Sequence, residues 1–121
     1  MTRSRRLAAT SIAALFALQL VWHGVLLPPV HAPRWAIVTL FCLPLLPSVL
    51  LLLASRPSAQ FWGGVAALLY FCHGVTEAWT SPSTRALGVV ELALSVAIIM
   101  AGSWDAIAAR RAKRSASTTN V

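Results

Sequence analysis

The stretch ALGVVELALSVAIIMAGSW, residues 86–104, decides what kind of protein this is. It starts directly after Arg85, ends ahead of Asp105, and holds a single ionisable residue, Glu91. A helix rising about 1.5 Å per residue needs about 20 apolar residues to cross about 30 Å of hydrocarbon, and this run has that length. Three further stretches qualify: 7–27, closed by Pro28 and Pro29; 35–53, opened by Pro33 and closed before Pro57; and 61–79, which ends before Ser81 and Pro82. An unpaired amide in hydrocarbon costs several kcal/mol and no strand-like alternation supports a barrel, so each stretch must be helical. The connectors are short, which makes successive helices antiparallel neighbours. The fold expected is therefore all-α, an integral membrane four-helix up-down bundle over residues 1–114. A polar, disordered tail over 115–121 is expected to follow it.

Composition excludes the main alternatives. Of 121 residues, 58% are hydrophobic and 11% charged, against about 45–50% apolar in a soluble domain, so no soluble catalytic domain fits. The net charge of +7 invites a nucleic-acid reading, but the basic residues lie at the ends of the apolar blocks and not over a soluble face. No nucleic-acid partner is expected; the lipid bilayer is the partner, with a second membrane protein or a further copy of the chain as a candidate. Cys42 and Cys72 fall inside apolar blocks and read as small buried hydrophobes, not as a disulfide framework or a metal knuckle.

Orientation follows from lysine and arginine placement. Arg3, Arg5, Arg6, Arg56, Arg110, Arg111, Lys113 and Arg114 fall on one side, against Arg34 and Arg85 on the other. That asymmetry predicts both termini in the cytoplasm of a multi-pass protein. Trp22, Trp35, Trp62, Trp79 and Trp104 lie near the span ends, where indole rings favour the headgroup region. The basic start and apolar run also fit a signal peptide cleaved after Val30-His31-Ala32. The apolar segment is longer than the usual core of about 7–15 residues, and Pro33 would be the first mature residue, so the first span is expected to stay. Pro44 and Pro47 inside the second span predict kinks whose freed carbonyls need other donors.

A shift of fifty residues lays His23-Gly24-Val25 on His73-Gly74-Val75 and Ala17-Leu18 on Ala67-Leu68. Two parallel helical-hairpin repeats would leave this echo, as would chance similarity of apolar segments. Ridges of small residues at Ala9, Ala13 and Ala17, and at Ala93, Ala97 and Ala101, are expected to hold the bundle together.

Counting from the span ends places His23, His73 and Glu91 at one depth, roughly 6–9 Å below the outer boundary. Ionisable groups facing lipid cost several kcal/mol, so these residues are expected to face the bundle interior and pair with one another. Helical spacing adds Gln19 beside His23, Glu77 and Tyr70 beside His73, and Ser95 beside Glu91. Arg85, one or two turns from Glu91, reads as an interfacial anchor or as a cation that favours an ionised Glu91. The bland reading of the layer is a histidine that snorkels and a hydrogen bond that fixes helix register.

The residues Leu18-Gln19 with Trp22-His23, then Tyr70-Phe71 with His73-Gly74-Val75 and Glu77, then Arg85, Leu87, Glu91 and Leu94-Ser95 form a pattern over all four spans. It resembles the bacterial inner-membrane family catalogued as domain of unknown function 2069. The resemblance implies a four-helix inner-membrane protein and transfers no activity and no catalytic residue.

Three functions compete. The first is a binding or transport-type module whose polar layer handles a proton, a small polar ligand or a quinone headgroup. The second is a structural or assembly protein acting through helix packing. The third is a haem or metal protein, with His23, His73 and Glu91 as the candidate ligands of a two-histidine, one-carboxylate site. An enzyme is not expected, since HExxH, a Ser–Lys or Ser–His pairing and a phosphate loop are all missing.

Overall fold

The computed structural model describes residues 3–26, 31 and 33–119. Four rods form the bundle. The first is α1 (Arg3–Val21), ending in a π-helical turn, Trp22–Leu26. The second is a broken rod, α2 (Arg34–Cys42) and α3 (Leu46–Leu53), joined by a 3₁₀ turn at Leu43–Leu45. The third and fourth are α4 (Ala59–Thr80) and α5 (Arg85–Thr119). Polar ties give the rods alternating direction: the start of α1 meets the far half of α5 through Ser4 and Asp105, and the start of α4 meets it through Gln60 and Asp105.

Which face turns inward says what surrounds the bundle. On α5 the buried positions are Gly88, Glu91, Ser95, Ile98 and Ala101, whereas Val89, Val90, Val96 and Met100 are exposed. The inner face is thus smaller and more polar than the outer one, as hydrocarbon around the protein requires. Below the polar residues the rods close on Ile12, Leu15, Leu45, Ala66, Ala67, Tyr70 and Ile98.

Three of the described helices are long and apolar enough to cross a membrane: Arg3–Val25, Arg34–Leu53 and Arg85–Thr119, with mean hydropathies of 1.5, 2.5 and 2.0. α4 is not among them. Its 22 residues reach about 33 Å, long enough to span, but Gln60, Tyr70, His73 and Glu77 lower its apolarity. These four are the side chains it turns toward the other rods, apart from the partly exposed outer edges of His73 and Glu77.

Several expectations need correction. Helix α5 does not stop near Trp104. Its continuation is rich in Ala, Arg and Lys, strong helix formers, and runs as helix to Thr119 across the segment read as a tail. Trp22 is only 2% exposed, so it does not stand with the expected interfacial belt; Trp35, Trp62, Trp79 and Trp104 are exposed. Ala13, Ala17 and Ala93 are exposed and Ala9 and Ala97 half-buried, so the alanine ridges are not the bundle's main seam; only Ala101 is buried. Cys42 is buried and Cys72 exposed on the outer surface. Val30 and Ala32, two of the three residues of the proposed cleavage site, lie outside the described residues.

The kink is satisfied much as the prolines demand. The Leu43 carbonyl, which Pro47 cannot reach, accepts from the Leu46 N–H, and the Tyr70 hydroxyl donates to the Phe41 carbonyl at 2.5 Å. The echo of fifty residues reappears as register. Gly24 faces Val38 and Gly74 faces Gly88; the His23 ring packs on Phe41 and the His73 ring bonds Glu91. Each pair maps onto the other by that shift, as two parallel hairpins require. The packing is not equal, however: a Cβ on Gly24 would lie 3.5 Å from Val38, an ordinary contact, while one on Gly74 would lie 2.9 Å from the Gly88 carbonyl.

Candidate functional site

Glu91 is the centre of the polar layer. It faces inward from α5, fully buried, and the close crossing at Gly74 and Gly88 one turn away lets α4 approach near enough to reach it. A Cβ at Gly88 would stand 2.8 Å from the Ala78 nitrogen, so only glycine fits this crossing without moving the backbone. Glu91 Oε1 accepts from Gln19 Nε2 at 3.0 Å, and Oε2 lies 2.8 Å from His73 Nδ1. With Glu91 ionised, Nδ1–H donates to it in a charge-assisted bond, which becomes an ion pair when the imidazole is also protonated.

The layer continues outward. His73 Nε2 stands 3.7 Å from Glu77 Oε1, an ion-pair distance but too long for a hydrogen bond. The other Glu77 oxygen accepts from Thr84 Oγ1 at 2.6 Å. Exposure falls along this path: the Glu77 and His73 side chains are 25% and 23% exposed, and Glu91 is 0% exposed. Beyond Glu91 comes fully buried Gln19, and then the apolar residues of the core. The path therefore opens at one end and is sealed at the other.

His23 stands apart from the carboxylates. The π-helical turn lays its ring parallel to that of its neighbour Trp22, at 5.1 Å and 7°, and against Phe41 at 3.9 Å and 18°. Phe41 and Trp22 also contact the His73 ring, at 5.0 and 5.3 Å, and the two histidine rings are 6.1 Å apart. Among the described residues two buried side-chain polar atoms have no hydrogen-bond partner: Gln19 Oε1 and His23 Nε2. Buried polar atoms of this kind call for a partner such as water or a ligand.

Of the residues singled out from sequence, Gln19, His73, Glu77 and Glu91 thus form one connected chain, with His23 packed beside it. The others do not join. Tyr70 bonds the kinked rod, Ser95 Oγ donates to the Glu91 backbone carbonyl at 2.8 Å within its own helix, and exposed Arg85 donates through Nε to the Ala78 carbonyl at 2.8 Å. Arg85 therefore closes the C-terminal end of α4, where a cation favours the helix dipole. Thr84, Trp22 and Phe41 were missed. Phe41 had one signal in the sequence, its position fifty residues before Glu91.

The described side chains lend the metal or haem reading no support. Among the described residues no group of three or more His, Cys, Asp or Glu is arranged to hold a metal ion. His73 Nδ1 is engaged with Glu91, and the His23 ring lies among aromatic rings. Phe41 and Trp22 pack against the rings of both histidines.

These features define an all-α integral membrane bundle with a buried polar layer at one end. The chain belongs to the family described as "Predicted membrane protein (DUF2069)", whose model matches residues 7–110. No curated protein and no solved structure matches it.

Proposed function

We propose that the protein is a small binding or transport-type module, not an enzyme, in which Glu77, His73 and Glu91 take up a proton or a small polar ligand from the side of Thr84 and Arg85. The observation that carries this reading is the fall in exposure from Glu77 through His73 to fully buried Glu91, along groups that bond or pair with one another. An ionisable side chain at such a position in a membrane segment is functional by default. The sealed inner end supports binding, or one loaded state of a transporter, over a continuous pore.

In this reading all four rods cross the bilayer, both termini face the cytoplasm of a bacterial inner membrane, and the polar layer lies in the outer leaflet. The basic excess at the end formed by the start of α1, the end of α3 and the far half of α5 supports that orientation. The test uses the proton as the probe. In pH-stat titration of the purified full chain, wild type takes up a proton that Glu91→Gln, folded and accumulating normally, does not. Equal uptake by the two proteins would remove the proposal.

A second reading, a structural or assembly protein, is favoured by the exposed alanines, since Ala13, Ala17 and Ala93 lie on the outer surface and free to pack against another membrane helix. A stoichiometric partner, or a second copy, lost on Ala17→Leu and kept on His73→Ala would favour it over the first.

A further inference from the structure

The end opposite the polar layer holds a second site, a groove between α4 and α5 that opens on the outer surface. Its walls are Phe61, Val65 and Leu68 of α4, all exposed, and Ile99 of α5. Gly64 and Gly102 line it too. An added Cβ at Gly64 would meet nothing within 4 Å, and one at Gly102 would lie 3.8 Å from the Gln60 carbonyl. Glycine inside a helix costs about 1 kcal/mol against alanine. At Gly74 and Gly88 the crossing of the two helices requires it. At Gly64 and Gly102 no contact among the described residues does, and the missing side chains leave the helix pair hollow toward the hydrocarbon.

The groove ends on a carboxylate. Asp105 lines it with Gln60 and Ser103, and of the three Asp and Glu residues in the chain it is the one outside the polar layer. It is half-buried. Its two oxygens accept from neutral groups, Ser4 Oγ and Gln60 Nε2, the latter at 2.8 Å. A carboxylate has about four lone-pair positions, so these two bonds leave half of its accepting capacity. On its own helix the residues three and four positions away are Ala101, Gly102, Ala108 and Ala109, none of them a cation that helical spacing would bring to it. Trp104 beside it in the chain and Trp62 on α4 are exposed, as indole rings at headgroup depth are.

The order of these groups narrows the ligand: an anionic acceptor at headgroup depth, a hydroxyl close by, and an apolar groove running from both into the span. From Gln60 to Leu68 helix α4 rises about 12 Å, a length that a stretch of acyl chain can follow. A primary ammonium complements Asp105 in charge and donates the N–H bonds that its remaining lone pairs accept. A quaternary ammonium has the charge and no N–H, and an anionic headgroup meets repulsion. We propose that the groove binds a phospholipid with a primary-amine headgroup, phosphatidylethanolamine, its ammonium on Asp105, its phosphate beside Ser103 and an acyl chain over Gly64 along Phe61, Val65 and Leu68. The proposal is independent of the His–Glu reading.

Native mass spectrometry of the full chain in detergent, titrated with phosphatidylethanolamine, phosphatidylcholine, phosphatidylglycerol or free ethanolamine, tests it. Wild type retains one phosphatidylethanolamine and binds it at least about tenfold more tightly than the other two lipids, the worth of one hydrogen bond to a charged group. Asp105→Asn, which keeps the size of the side chain, loses that preference. Gly64→Leu, which fills the groove and leaves Asp105 in place, loses the lipid itself. Glu77→Gln, which removes the same charge from the other end of the bundle, keeps lipid and preference alike. The proposal is overturned if wild type binds phosphatidylethanolamine and phosphatidylcholine equally, if Asp105→Asn keeps the preference, or if Glu77→Gln is as impaired as Asp105→Asn. It is also overturned if Gly64→Leu retains the lipid, whether or not it separates a dimer, or if free ethanolamine displaces the lipid at equal concentration.

Discussion

His73 Nδ1 and Glu91 Oε2 stand 2.8 Å apart across the closest approach of α4 and α5, and the other oxygen of the same carboxylate accepts from Gln19 on α1. One buried side chain thus ties three rods. Glu91→Leu removes both bonds and strands His73 and Gln19. Interhelical bonds in membranes are worth about 0.6 kcal/mol on average and at most about 1.7, so the expected loss is about 1–3 kcal/mol. Gln19→Leu should cost less, because it deletes its own unpaired carbonyl along with the bond. Denaturant unfolding in detergent, followed by circular dichroism, gives both values.

The crossing behind that pair makes a sharper structural prediction. A methyl group at Gly88 meets the Ala78 nitrogen at 2.8 Å and the Gly74 carbonyl at 2.9 Å, both backbone atoms that cannot rotate away. Gly88→Ala should destabilise the bundle by about 1–3 kcal/mol, the usual cost of overpacking. It should also lengthen the His73–Glu91 contact. At Gly64 nothing lies within 4 Å of an added Cβ, so Gly64→Ala should change stability by at most about 1 kcal/mol. Equal effects of the two changes would contradict the packing described.

Tyr70 serves the kink and not the polar layer. Tyr70→Phe removes the hydroxyl bonded to the Phe41 carbonyl and is expected to cost about 1 kcal/mol. Because Tyr70 touches neither carboxylate, proton uptake should remain at the wild-type level. Loss of uptake would mean that Tyr70 belongs to the functional layer.

At the other end, Ser55 occupies a left-handed position that glycine adopts without steric cost. Ser55→Gly should therefore be neutral or stabilising by up to about 1–2 kcal/mol, and Ser55→Val should be destabilising. Thermal unfolding of the two variants in detergent decides the sign.

Prolines and span lengths made the four rods legible in the sequence, and counting residues from span ends brought His73 and Glu91 to one depth. Rotation about each helix was harder to read. Ala17 and Gln19 are two residues apart and so face nearly opposite ways; once Gln19 bonds Glu91, Ala17 must face outward. The same relation turns Ala93 away from Glu91. Trp22 escaped because a π-helical turn, which no periodicity announces, carries its ring inward. The tie from Ser4 and Gln60 to Asp105 needed the antiparallel packing of three rods before it became visible.

The central claim is that Glu91, although buried, exchanges protons with water through His73 and Glu77. The most direct measurement is the infrared difference spectrum of the full chain in lipid nanodiscs between acidic and alkaline buffer. The account predicts a protonated-carboxyl band in acid that disappears in Glu91→Gln and survives in Glu77→Gln. Identical spectra from wild type and Glu91→Gln would contradict it.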